Sequence, residues 1–189
     1  STLIEALAIA AGLNPEGGTK HWNYAERPSE SSLHGCLRLI RNPKRERSGF
    51  FLRAETMFNV ATQIEKQGLG LYGWEDMHAR SHGEAFLWVV LNRLHGNGLY
   101  LFDEPESALS PQRQLGLLRL LHDLVAKGSQ LIMATHSPIL MAYPGALLYE
   151  LGDEGIRKVD YEDTEHFLVT RAFLNRRESM LGELFADRD

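Results

Sequence analysis

The chain has 189 residues, enough for one domain with a sizeable core. Hydrophobic residues make up 43% and charged residues 24%, and the net charge of −5 excludes a global attraction to nucleic acid or anionic lipid. The single cysteine, Cys36, excludes a disulfide within the chain and fits a reducing compartment. No apolar run approaches the roughly 20 residues of a membrane span. No basic-plus-apolar signal segment opens the sequence. These features predict a cytoplasmic protein without membrane insertion.

Residues 1–13, STLIEALAIAAGL, are rich in Ala, Leu and Ile and stop at Gly12, which predicts a mostly buried helix. Residues 14–35 are polar, with two prolines and several Gly and Ser, and read as an irregular excursion. Strands are expected at 36–40 and 49–53, joined by a basic turn over 41–47. A helix is expected around 56–67 and a Gly-rich loop at 68–73. Ser81 opens a strong helix over 82–94, ended by Gly96-Asn97-Gly98. A strand at 99–103, a helix over 111–126 and a strand at 130–134 come next. Strand-like segments 146–151 and 156–160 flank a turn, and the tail from Asp163 onward reads as helical. Alternating helix and strand in the middle of the chain predict a mainly parallel α/β sheet.

The most informative run is GLYLFDEPESALSP, residues 98–111. An apolar stretch ends in adjacent carboxylates, Asp103 and Glu104. The pattern fits a buried strand with both acids at its carboxyl end, the edge where ligands bind in open α/β sheets. Two neighbouring carboxylates there are costly unless positive charge balances them. Mg²⁺ on a nucleotide is the usual balance: one carboxylate holds the metal while the other polarises the attacking water. An ordinary strand exit blocked by Pro105 is the competing reading.

Further pieces share one order. Ser1-Thr2 opens a helix, Ser81-His82-Gly83-Glu84 opens another, and His136 ends the strand after Asp103-Glu104. Asp103 lies 22 residues after Ser81, and His136 lies 33 after Asp103. Each gap holds one helix and one strand, the unit of a parallel sheet. This order resembles an ABC-type P-loop ATPase domain. It is most similar to stand-alone bacterial AAA family ATPases, relatives of the chromosome-maintenance and recombination ATPases. The resemblance is densest from Ser81 to Ser137, with Ser1-Thr2 as an outlying match. It implies a signature motif at Ser81 to Glu84, a Walker B motif at Leu99 to Glu104, a D-loop at Ser107 to Ser110 and an H-loop at His136.

The resemblance further implies ATP and Mg²⁺ as ligands. Ser1 and Asp103 would hold the metal, Thr2 would bond the α-phosphate, and Glu104 would be the general base. His136 would sense the γ-phosphate. Ser81, Gly83 and Glu84 would serve the nucleotide of a second subunit, which implies an ATP-sandwiched homodimer. One domain would span 1–189, with a variable region at 14–80, a core at 81–160 and terminal helices at 161–189.

Departures from the pattern are visible. The signature reads Arg80-Ser81-His82-Gly83-Glu84, with His82 in place of a Gly. Ser-x-x-Glu is also a capping box, which needs no ligand, although a capped helix N-terminus can seat a phosphate. No P-loop run of Gly-x-x-x-x-Gly-Lys is present. The opening residues resemble the family's helix start just after Gly-Lys, so about 40 residues ending in Gly-Lys are expected before Ser1. Glu55 is the candidate for the Q-loop Gln role. His78 and His82, four apart, lack a third metal ligand.

The stretch from Arg38 to Arg53 holds six basic residues and one acid. It reads as a solvated hairpin, with a phosphate-backbone patch as the alternative. Rival functions are a dimerisation module without turnover, a transporter's ATP-binding subunit, and a DNA-repair or phage-defence ATPase with a nuclease partner.

Overall fold

The computed structural model describes residues 1–15, 17–18, 32–41, 46–53 and 82–186. The expected helix at 56–67, the loop at 68–73, Lys44, Arg45, Glu55, His78 and Ser81 lie outside the described residues. The chain divides into two compact units, Ser1–Thr135 and His136–Asp189.

Among the described residues, the first unit is built on a three-stranded parallel sheet in the order β1-β2-β3. Its strands are β1 (Ser48–Arg53), β2 (Gly98–Asp103) and β3 (Gln130–Ala134). The register pairs Arg53 with Asp103, and Asp103 with Ala134, so all three strands end together. Helix α1 (Thr2–Ala11) opens the chain. Gly12 stops it in the left-handed conformation, φ 79°, where a glycine carries no Cβ penalty. Leu13 N–H then bonds back to the Ala8 carbonyl at 2.9 Å.

One face of the sheet is covered by α1. Ile4, Ala8, Ala11 and Leu13 form a buried cluster with Phe51 and Leu101, and Leu99, Ile132 and Ala134 pack against it. Strand alternation places Leu99, Leu101 and Asp103 on this face, and Tyr100 and Phe102 on the other. Leu13 touches the amino end of the sheet, 3.0 Å from where a Cβ on Gly49 would sit. Helix α1 therefore runs against the strand direction and delivers Ser1 to their carboxyl edge. That is the geometry a phosphate-binding helix requires.

Tyr100 closes the amino end of β2. Its hydroxyl donates to the His95 carbonyl at 2.6 Å and accepts from the His95 N–H at 2.7 Å. A Cβ at Gly98 would collide with the Tyr100 ring, which explains the glycine there. Helices α2 (His82–Arg93) and α3 (Pro111–Ala126) flank β2 in sequence. Ser110 caps α3 by accepting the Arg113 N–H at 3.4 Å.

The strand expected at 36–40 does not form. Ser32–Cys36 is a 3₁₀ turn, residues 37–40 have no regular structure, and Ile40 is 93% exposed. The reason is that the place beside β1 is taken. Gly18 exchanges two backbone hydrogen bonds with Phe51, of 2.8 and 3.0 Å, forming a bridge on that side of the strand.

The second unit begins with the short helix α4 (Pro138–Met141), capped by Ser137. Strands β4 (Leu148–Gly152) and β5 (Gly155–Val159) form an antiparallel hairpin with Gly155 at φ 108°. Helices α5 (Glu165–Asn175) and α6 (Arg177–Phe185) complete the unit. Glu150 ties hairpin to helix: it accepts from Arg157 across the hairpin at 2.6 Å and from the Glu165 N–H at 3.1 Å.

Candidate nucleotide and metal site

The carboxyl edge of the sheet gathers residues far apart in sequence. Asp103, the last residue of β2, is 5% exposed. Its Oδ1 is buried without a hydrogen-bond partner among the described residues, and the Ser1 nitrogen lies 3.9 Å from it. The Ser1 hydroxyl donates to Glu104 Oε1 at 3.4 Å. Ser1 and the Asp103-Glu104 pair are thus brought together across about a hundred residues, as the motif order predicts. Thr2 sits exposed in the first turn of α1.

Glu104 leaves the sheet in a left-handed conformation, φ 48° and ψ 53°. A non-glycine residue there is strained, and such strain collects at functional sites. Its backbone is held on both sides. The N–H donates to the Ala134 carbonyl at 2.9 Å, and the carbonyl accepts from Ser107 N–H and Oγ at 3.1 and 2.9 Å. Pro105–Ala108 then makes one 3₁₀ turn. Thr135 Oγ1 donates to Glu106 Oε2 at 2.8 Å, and the buried Gln114 amide donates to the Leu109 carbonyl at 3.1 Å. The segment after the acidic pair is therefore a built loop, anchored to the neighbouring strand and to α3.

Gly83 and Glu84, within the expected signature, pack on that loop. Gly83 is buried, and a Cβ there would come within 2.7 Å of the Ala108 carbonyl and 2.9 Å of Arg113 Nη1. Glu84 accepts from Arg113 Nη2 at 2.8 Å, linking the start of α2 to the first turn of α3. Sequence alone does not single out Arg113, because a charge one turn into a helix carries no motif.

Arg53 is a second site residue that sequence alone misses. It ends β1 opposite Asp103, with Nε 3.3 Å from Asp103 Oδ2 and Nη1 3.0 Å from Glu5 Oε2. Its place is readable as the end of a strand neighbouring β2, but the basic stretch around it suggests a solvated hairpin instead.

His136 falls at the start of the second unit, two residues beyond β3 in sequence. Its Nδ1 shares a hydrogen bond of 3.0 Å with Nε2 of His166 on α5. The rings are 5.0 Å apart and tilted by 36°. The sequence pattern assigns His166 no role.

The residues present fit a hard divalent cation. A buried carboxylate oxygen lacking a hydrogen bond among the described residues and a nearby serine hydroxyl are oxygen donors of the kind Mg²⁺ takes with nucleotide phosphates.

A parallel sheet flanked by helices, with an acidic pair at the carboxyl end of its middle strand, is the α/β fold of the P-loop NTPase class. Residues 85–142, under a third of the chain, match a family model described as "AAA domain, putative AbiEii toxin, Type IV TA system". The match takes in Asp103, Glu104 and His136. Ser1, Thr2, Ser81, Gly83 and Glu84 lie outside it. It supports a P-loop ATPase domain of AAA type that binds and hydrolyses nucleotide. No curated protein matches the chain. Among the described residues, no helix is long and apolar enough to cross a membrane.

Proposed function

We propose that the protein is an ABC-type ATPase that hydrolyses ATP to ADP and phosphate, with Mg²⁺, in an ATP-sandwiched homodimer. The observation that carries this reading is the Ser1, Asp103 and Glu104 cluster at the sheet edge, with Asp103 Oδ1 buried and lacking a hydrogen bond among the described residues. Asp103 and the Ser1 hydroxyl hold the metal, which supplies neutralisation of the phosphate charge. Thr2 bonds the α-phosphate at the start of α1. Glu104 accepts a proton from the attacking water or polarises it. His136 takes its role from the motif order, a hydrogen bond to the γ-phosphate. Ser81, Gly83 and Glu84 complete the nucleotide site of the second copy. That role rests on the motif order; within one copy Gly83 packs on the Ala108 carbonyl, which joins its helix to the loop after Glu104.

Glu104→Gln tests the mechanism in the full-length protein. The amide keeps size and hydrogen bonding but cannot take a proton. Turnover should fall by about 10²–10⁴-fold, with ATP binding retained. Hydrolysis at the wild-type rate would show that Glu104 is not the catalytic carboxylate.

The process driven by the ATPase is open to one specific hint. The matched family's description names a toxin of a toxin–antitoxin system, which favours a defence role over membrane transport. A nuclease partner and DNA contact through the basic segment belong to this second reading. Arg41 in that segment is already engaged, by Glu46 at 2.6 Å and the Ala11 carbonyl at 3.2 Å. Salt-sensitive DNA binding lost on replacing Lys44, Arg45 and Arg47 would support it.

A further inference from the structure

Three charges meet under helix α1. Arg53 bonds Glu5 through Nη1 at 3.0 Å, and its Nε, which makes no hydrogen bond among the described residues, forms an ion pair with Asp103 Oδ2 at 3.3 Å. Nη1 also donates to the Pro15 carbonyl at 3.4 Å, and the guanidinium lies 5.8 Å from the centre of the Phe51 ring. The side chains are mostly out of water: 16% exposed for Arg53 and Glu5, 5% for Asp103. The planar guanidinium presents Nη1 to Glu5 and Nε to Asp103 in one fixed arrangement, whereas a lysine ammonium offers a single point charge on a flexible stem. Asp103 Oδ2 faces the guanidinium, while Oδ1, 3.9 Å from the Ser1 nitrogen, is buried without a hydrogen bond among the described residues.

We propose that Arg53 is a positioning residue: its ion pairs with Asp103 Oδ2 and with Glu5 of the first helix hold the Asp103 carboxylate so that Oδ1 is presented to a nucleotide-bound divalent cation. The inference rests on Asp103 being the metal-side carboxylate. Two effects of Arg53 on a cation oppose each other. Its positive charge repels the metal, while its fork fixes the ligand. Glu5, in contact with Arg53, opposes this repulsion with a negative charge of its own. Nothing offsets the loss of orientation, so positioning wins and removal of Arg53 weakens metal binding.

The test uses the full-length protein with Arg53→Met and Arg53→Lys. Three quantities are read: Mn²⁺ affinity by electron paramagnetic resonance with a non-hydrolysable ATP analogue, the Mg²⁺ concentration for half-maximal hydrolysis, and ATP affinity in EDTA. Arg53→Met should weaken Mn²⁺ binding and raise the Mg²⁺ requirement by about tenfold or more, the size typical of lost ligand-orienting partners. ATP affinity in EDTA should stay unchanged, and turnover should recover at high Mg²⁺. Arg53→Lys should fall between. Wild-type Mn²⁺ affinity in Arg53→Met overturns the proposal, and if that variant does not fold, wild-type affinity in Arg53→Lys does so. A parallel loss of ATP affinity in EDTA also overturns it, because the role would then be structural. Asp103→Asn separates the two layers. If it keeps wild-type Mn²⁺ affinity, the reading of Asp103 fails, whatever Arg53 does.

Discussion

At the scale of single residues, Glu104 concentrates the conflict between folding and function. Its left-handed backbone costs about 1–2 kcal/mol for any residue with a Cβ. Glu104→Ala and Glu104→Gly both delete the carboxylate, and they differ in this strain. The Gly variant should be the more stable of the two by about 1 kcal/mol in urea unfolding, with both inactive. Equal stability would mean that the turn relaxes once the carboxylate is gone. Asp103 and Glu104 are legible in the sequence because an apolar run ending in two acids leaves few cheap alternatives. Arg53, Arg113 and His166 are not, because each finds its partner through tertiary contact. Arg53 meets Glu5 from 48 residues away, and Arg113 meets Glu84 from 29. No local spacing encodes such pairs.

At the scale of elements, the strongly patterned pieces form where the sequence predicts them. Helix α3 and strand β3 match their expected bounds of 111–126 and 130–134, since Ser110, Pro111 and Gly128 punctuate them. The segment 36–40 fails because strand pattern alone does not secure a partner, and Gly18 already occupies that side of β1. The hairpin β4–β5 illustrates a different dependence. Glu150 is held below the usual carboxylate range, first by the Glu165 backbone N–H and then by Arg157. A depressed carboxyl contributes stability above its unfolded value and loses it as pH falls through the folded one. Protection of the Glu165 amide in hydrogen exchange should therefore drop as the pH falls from the usual carboxylate range to below it. Glu150→Gln should show lower protection at neutral pH and no such drop. An identical pH profile in the two proteins would remove Glu150 as the cause.

At the scale of the whole molecule, the proposed chemistry needs two copies. The full-length Glu104→Gln protein should form an ATP-dependent dimer in gel filtration, because hydrolysis no longer resets it. Adding Ser81→Arg should abolish that dimer while ATP binding to the monomer survives, since the added bulk sits in the site offered to the other copy. A dimer that forms without ATP, or survives the second substitution, would count against the sandwich. Within one copy, the sheet imposes a constraint of another kind. Arg53 faces Asp103 only because β1 and β2 run parallel with their last residues paired. A strand tolerates exchange of one apolar side chain for another. One residue inserted or deleted within β1 would instead turn the guanidinium to the opposite face. Glu5 and Asp103 would then be left facing each other with no cation between them. In this strand the quantity under tightest restraint is length in residues, more than composition.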